Sequence, residues 1–160
     1  MAINGLRNSY VVIASAWLIH AVSWFLPVVR LDIFGPIRGW TAFGLALSPI
    51  LQGGDRTDKW YNLVLPVVSA VTTFLFIVGS PLVVWRASQS VRRACAWVTT
   101  FAFLVNSHWY ILSGSDRKEL SVGYFFWWLS FILLAIGLFG ISSGSKFDEY
   151  GGAIPAKGKI

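Results

Sequence analysis

Four long apolar runs alternate with short polar stretches along this chain: Ser9 to Val29, Trp60 to Trp85, Ala94 to Leu112 and Val122 to Ile141. No Lys, Arg, Asp or Glu falls inside any of them; the polar interruptions are His20, Asn62, Asn106, His108 and a few Ser and Thr. Crossing about 30 Å of hydrocarbon at 1.5 Å per helical residue takes roughly 20 such residues. The pattern therefore predicts an all-α membrane protein with four transmembrane helices in a bundle. A shorter pattern lies between the first two runs, where Trp40, Phe43, Leu47 and Ile50 recur at i, i+3, i+7 and i+10. That spacing gathers them on one helical face over residues 39–51, ended by Ser48-Pro49 and Gly53-Gly54. It is too short to span, so it predicts an interfacial or re-entrant outer helix, or equally a cap filling the mouth of the bundle. Pro66 and Gly79-Ser80-Pro81 lie within the second run and predict a kink there, because proline lacks the N–H and clashes with the preceding turn.

Composition agrees with the pattern. Of 160 residues, 56% are hydrophobic and 12% charged, about half the charged share of an ordinary soluble domain, and the mean hydropathy is +0.64. The division expected is a four-helix transmembrane domain over residues 1–145 and a flexible polar tail over residues 146–160, with Gly151-Gly152 in the tail. Arg7 followed by an apolar run and Ala21-Val22-Ser23 imitates a cleaved signal peptide. The apolar character continues through Trp24, Phe25 and Val29, however, which suits an uncleaved anchor. The single cysteine, Cys95, has no partner in the chain for a disulfide.

Charge sets the expected orientation. Arg86, Arg92 and Arg93 crowd the second loop with no acidic residue among them, whereas Asp116, Arg117, Lys118 and Glu119 make the third loop neutral. The excess of Lys and Arg marks the cytoplasmic side, so the second loop and both termini are expected there, with Arg86, Arg92 and Arg93 among inner-leaflet headgroups. The first loop carries Arg30, Arg38, Arg56 and Lys59 on the outer side, nearly balanced by Asp32, Asp55 and Asp58. The formal charge of +6 and pI near 9.8 thus arise at membrane ends, and no nucleic-acid partner is expected.

Candidate chemistry is sparse. Every Asp and Glu lies outside the apolar runs, which argues against hydrolysis and proton pumping, so the chain is expected to be no enzyme and to hold no metal. His20 and His108 fall within runs at heights differing by roughly 5 Å. They form a possible polar or ligand site, serving interhelical hydrogen bonds or, as a minor alternative, bis-histidine ligation of haem b. Small residues one turn apart, Ser69 with Thr73, Ala96 with Thr100 and Gly140 with Gly144, predict close helix packing. Trp24, Trp40, Trp60, Trp109, Trp127 and Trp128 gather toward the outer half, either as an aromatic belt or as a docking surface. In the second reading Trp40, Phe43, Trp127 and Trp128 bind a partner.

Trp24-Phe25-Leu26-Pro27, Gly39-Trp40-x-Ala42-Phe43 and Gly123-Tyr124-Phe125-Phe126-Trp127-Trp128-Leu129-Ser130 resemble segments of small, uncharacterised four-span proteins of bacterial inner membranes. The resemblance implies a bacterial inner-membrane location and carries no activity. The expected function is non-enzymatic contact with protein or lipid, as an accessory subunit or partner-binding component of an envelope complex, immunity-type binding included. The expected partners are the lipid bilayer and a membrane protein or a second copy of the chain. A small transporter or channel, with His20, Asn62 and Asn106 along its path, is the alternative.

Overall fold

The computed structural model describes residues 2–31, 35–52, 60–112 and 114–144, and these are mostly helical. In chain order come α1 (Ala2–Phe25), strands β1 (Pro27–Leu31) and β2 (Gly35–Arg38), α2 (Gly39–Gln52), α3 (Trp60–Phe74), a π-helical turn (Leu75–Gly79) and α4 (Ser80–Arg86). α5 (Gln89–Asn106), α6 (His108–Leu112), a 3-10 turn (Gly114–Glu119) and α7 (Val122–Gly144) complete it. The polar tail at residues 146–160 and the acidic part of the first loop, Asp32, Asp55 and Asp58, lie outside the described residues.

α7 is the helix around which the others pack, with α1 on one side and α5 on another. Phe131, Leu134, Ala135, Leu138 and Ile141 of α7 are buried, and they recur at three- and four-residue intervals. α1 answers with Ile13, Ala16, His20 and Ser23, and α5 with Ala96, Thr99, Ala102 and Asn106, each set on one helical face. Contact between α1 and α7 is close because Gly137 has no side chain: a Cβ there would collide with Ile13 Cγ1 and lie 3.2 Å from the Ser9 carbonyl oxygen. The opposite faces are also apolar. Leu18 is 66% exposed, Trp97 63% and Phe101 64%.

Among the described residues two helices are long and apolar enough to cross a membrane, Val64–Arg86 and Val122–Ser143, with mean hydropathies of 2.2 and 2.1. The first passes through both of its prolines. Ser80 donates its backbone N–H to Leu75, five residues back, which widens the helix just before Pro81. The Ser80 hydroxyl meanwhile takes the Phe76 carbonyl at 2.5 Å. The other two expected spans are divided. The run from Ser9 to Val29 leaves the helix at Phe25, because Pro27 disfavours helical backbone in the residue before it and cannot donate. The run from Ala94 to Leu112 changes at Ser107, between α5 and α6.

The first loop contains a β-hairpin that hydrophobic periodicity had not revealed. β1 and β2 pair antiparallel, Val29 opposite Ile37 and Arg30 opposite Pro36, with an irregularity between Pro27 and Val29. The carbonyl of Val28, within that bulge, accepts the Ser121 N–H at 2.8 Å, and Val29 bridges to Leu120. The hairpin is thereby fastened to the start of α7.

Candidate functional site

α2 begins where the hairpin ends, and it begins in contact with the end of α1. The Gly39 N–H donates to the Leu26 carbonyl at 3.3 Å. A Cβ on Gly39 would stand 2.7 Å from both the Ser23 carbonyl oxygen and the Trp24 Cα, so only glycine permits this departure. From there α2 runs over α3. Beneath it lies a half-open cavity of about 350 Å³. Val28, Val29 and Ile37 of the hairpin, Ala42, Phe43 and Ala46 of α2, Pro66 and Ala70 of α3, and Leu120 form apolar walls. Ser23, Ser48, Ser69, Thr73 and Tyr124, with the indoles of Trp24, Trp109 and Trp127, add the polar edges. No charged side chain is among the described lining residues.

Most of those polar edges are internally paired. Trp127 Nε1 donates to Thr73 Oγ1 at 3.0 Å, and that hydroxyl donates to the Ser69 carbonyl at 2.9 Å. Ser23 donates to the His20 carbonyl and Tyr124 to the Asn106 carbonyl. Ser69 Oγ accepts the Trp109 indole N–H at 3.2 Å. Its own proton has no acceptor among the described residues. Ser69 as a whole residue is 5% exposed.

Deeper, between α1, the π turn and α7, lies His20, 3% exposed. The Ser130 hydroxyl donates to the Trp127 carbonyl at 2.5 Å and lies 2.9 Å from His20 Nδ1. A hydroxyl has one proton, so here Ser130 accepts and Nδ1 carries the imidazole hydrogen. Nε2 is then the unprotonated nitrogen, and it is buried with no hydrogen-bond partner among the described residues. The ring stacks on Phe76, centroids 4.0 Å apart and planes at 13°, and meets Phe131 edge-on.

The residues singled out by the sequence fall into six separate places. His20 and His108 do not meet: His108 holds the Val105 carbonyl through Nδ1 and packs beside Trp109, and among the described residues no bond or ring contact joins it to His20. Of the aromatic set, Phe43 and Trp127 line the same cavity. Trp40 stands outside, 51% exposed, beside Phe25 and under the Arg38 guanidinium. Trp128 faces α5, stacked on Phe103 at 4.5 Å and donating to its carbonyl. The four therefore do not share one exposed face. Arg86 and Arg93 are exposed at the α4–α5 connection, but Arg92 turns back onto α4, its Nη2 3.0 Å from the Val84 carbonyl. It supplies a donor to the Val84 carbonyl in the last turn of α4, where helix carbonyls run out of intrahelical N–H partners.

Sequence reasoning missed Ser69 and Thr73 as site residues, reading them as a packing pair. The available signal was two hydroxyls one turn apart in an apolar helix, in a chain with indoles needing acceptors. Comparison with known proteins adds nothing to the geometry: no family model, no curated protein and no solved structure matches this chain.

Proposed function

We propose that the chain is a four-span integral membrane protein that works by non-covalent binding, holding an apolar guest in the cavity beneath α2 and serving as an accessory or partner-binding component of a membrane assembly. The spans of this reading are α1, the α3–α4 helix, α5 with α6, and α7, with both termini cytoplasmic. Two of these meet the length and hydropathy requirement outright. For α1 and α5 the support is their outward faces, where Leu18, Val11, Trp97 and Phe101 are exposed, while polar side chains pair inward. A patch of that size and character fits lipid as its surroundings. The exposed Arg86 and Arg93 favour the cytoplasmic side for their loop, and the resemblance to small four-span proteins favours a bacterial inner membrane.

The cavity is the observation that carries the functional part. Its volume falls in the lower range of small-molecule sites, which are mostly apolar with a few placed polar groups. Its hydroxyls and indoles suit recognition, and no His, Cys, Lys, Asp or Glu that would activate one of those hydroxyls is among its described lining residues. Lipid is the partner this site suits first. Trp40, outside the cavity and flanked by Phe25 and Arg38, is where a protein partner or a second copy would meet the rim.

Mild-detergent purification followed by mass spectrometry of whatever remains bound tests this. Wild-type protein is expected to carry an apolar guest near one per chain. Ala46→Trp, which fills the cavity from α2, should lower that content at least tenfold with the chain still helical. Equal guest content in the two proteins sinks the proposal.

A further inference from the structure

We infer that the outward face of the hairpin, Arg30 with Arg38, holds the phosphate of an anionic glycerophospholipid, one acyl chain of which lies along the exposed stripe of α1 that starts at Phe25; this rests on α7 crossing the bilayer and is independent of the cavity. Strand register brings the two guanidiniums together. Val29 stands opposite Ile37 and Arg30 opposite Pro36, so the hairpin has two faces. Val29 and Ile37 line the cavity, whereas Arg30, Pro36 and Arg38 are exposed. Arg38, two residues beyond Pro36, is the diagonal neighbour of Arg30 at roughly 7–8 Å, a gap that long side chains close. Among the described residues neither arginine forms an ion pair, Glu119 just before Leu120 included.

The fastening of the hairpin sets its height. Val28 accepts the Ser121 N–H at 2.8 Å, and Ser121 immediately precedes Val122, the first residue of a helix long and apolar enough to cross the membrane. The two arginines therefore stand where hydrocarbon gives way to headgroups, and the anions of that layer are lipid phosphates. Next to them the surface turns apolar in the order that a lipid requires. Arg38 Cζ lies 5.8 Å from the centroid of the Trp40 ring, and Trp40 meets Phe25 at 6.4 Å. A guanidinium resting on an indole keeps its edge N–H groups for phosphate oxygens. Phe25, Val22 and Leu18, all exposed, then descend α1 at intervals of three and four residues. They cover about 10 Å of the roughly 15 Å that one leaflet provides. A free phosphate would use the arginines and leave that stripe unused. The described strands carry no acidic side chain to receive the ammonium of a zwitterionic lipid, which favours a headgroup of net negative charge.

The test reconstitutes the full-length protein in phosphatidylcholine bilayers containing a trace of phosphatidylglycerol or phosphatidylcholine with a diazirine in one acyl chain, and maps the photo-adducts by peptide mass spectrometry. Wild type is expected to carry adducts on residues 18–25, with phosphatidylglycerol exceeding phosphatidylcholine at least fivefold. Each of Arg30→Gln and Arg38→Gln should lower that excess about fivefold, the preference one basic residue supplies at a membrane surface, and the double variant should abolish it. Arg30→Lys with Arg38→Lys keeps the charge and should retain most of the excess. Equal labelling by the two lipids in wild type, or an undiminished excess in the double glutamine variant, overturns the headgroup assignment. Suppression by soluble glycerol 3-phosphate overturns it in favour of a free-phosphate site. An excess found only on cavity walls such as Ala46 and Ala70 overturns the placement along α1. Labelling present after reconstitution and missing in native membranes means that a protein covers this face, and overturns the lipid as its occupant. Protein that fails to float with the bilayers overturns the membrane reading itself, before any adduct is counted.

Discussion

Ser130 joins two helices through a single hydroxyl, receiving the His20 Nδ1–H and donating to the Trp127 carbonyl. The two ends of this short chain are unequal. Ser130→Ala leaves a buried imidazole N–H without an acceptor, a loss worth about 1–3 kcal/mol. His20→Phe removes the imidazole donor together with its partnerless Nε2 and keeps an aromatic ring stacked on Phe76. The expected outcome is a clear fall in thermal stability for Ser130→Ala and a change within about 1 kcal/mol for His20→Phe, measured by unfolding in detergent. A large loss in His20→Phe would mean that Nε2 holds a partner of its own. Similar reasoning explains the tryptophans. The indoles of Trp17, Trp109, Trp127 and Trp128 donate to Ser80, Ser69, Thr73 and the Phe103 carbonyl. Their rings are thus tied to the interior, where an aromatic belt would have turned them to headgroups.

Elements show where local pattern suffices and where it fails. The helix expected over residues 39–51 is present as α2, because apolar spacing, a preceding Gly-Pro break and a following Gly-Gly are all local signals. Its inner face was not legible. Trp40 and Phe43 share a helical stripe, yet Phe43 turns into the cavity against Trp24 and Trp40 turns out against Phe25. The choice is made by Gly39, whose backbone contact with Ser23 and Trp24 fixes how α2 leaves α1, and periodicity holds no information about that rotation. The hairpin was hidden for a related reason: Pro27-Val28-Val29 continues the apolar run, and only pairing with residues 35–38 and Leu120 makes it a strand. Gly39→Ala should therefore act on the site more than on the helices. A methyl 2.7 Å from two backbone atoms forces α2 to shift, which typically costs about 1–3 kcal/mol. Guest retention should fall with helicity, by circular dichroism, unchanged.

Connectivity decides how many helices cross the bilayer. Among the described residues, only Val64–Arg86 and Val122–Ser143 satisfy length and hydropathy by themselves. If those alone crossed, everything between them would stay on one side, and Ser88 and Lys118 would face the same compartment. If α5 with α6 also crosses, the two residues face opposite compartments. α5 carries Arg92 and Arg93 near its start and Phe101, Phe103, Leu104 and Val105 near its end. One end is thus suited to headgroups while the exposed Trp97, Val98, Phe101 and Leu104 suit hydrocarbon. Both marker positions are exposed, so cysteines placed there are open to reagent. In a Cys95→Ala background, a membrane-impermeant maleimide applied to intact cells should label Lys118→Cys, and Ser88→Cys only after permeabilisation. Phe101→Cys, on the lipid-facing side of α5, should stay unlabelled in both conditions, since a thiol in hydrocarbon neither ionises nor meets the reagent. Labelling of Ser88 and Lys118 from the same side, with Phe101 reactive, would leave two spans and lay α5 in water. Its exposed apolar face would then need a protein partner to cover it, and the cavity would have to be reconsidered as part of that interface.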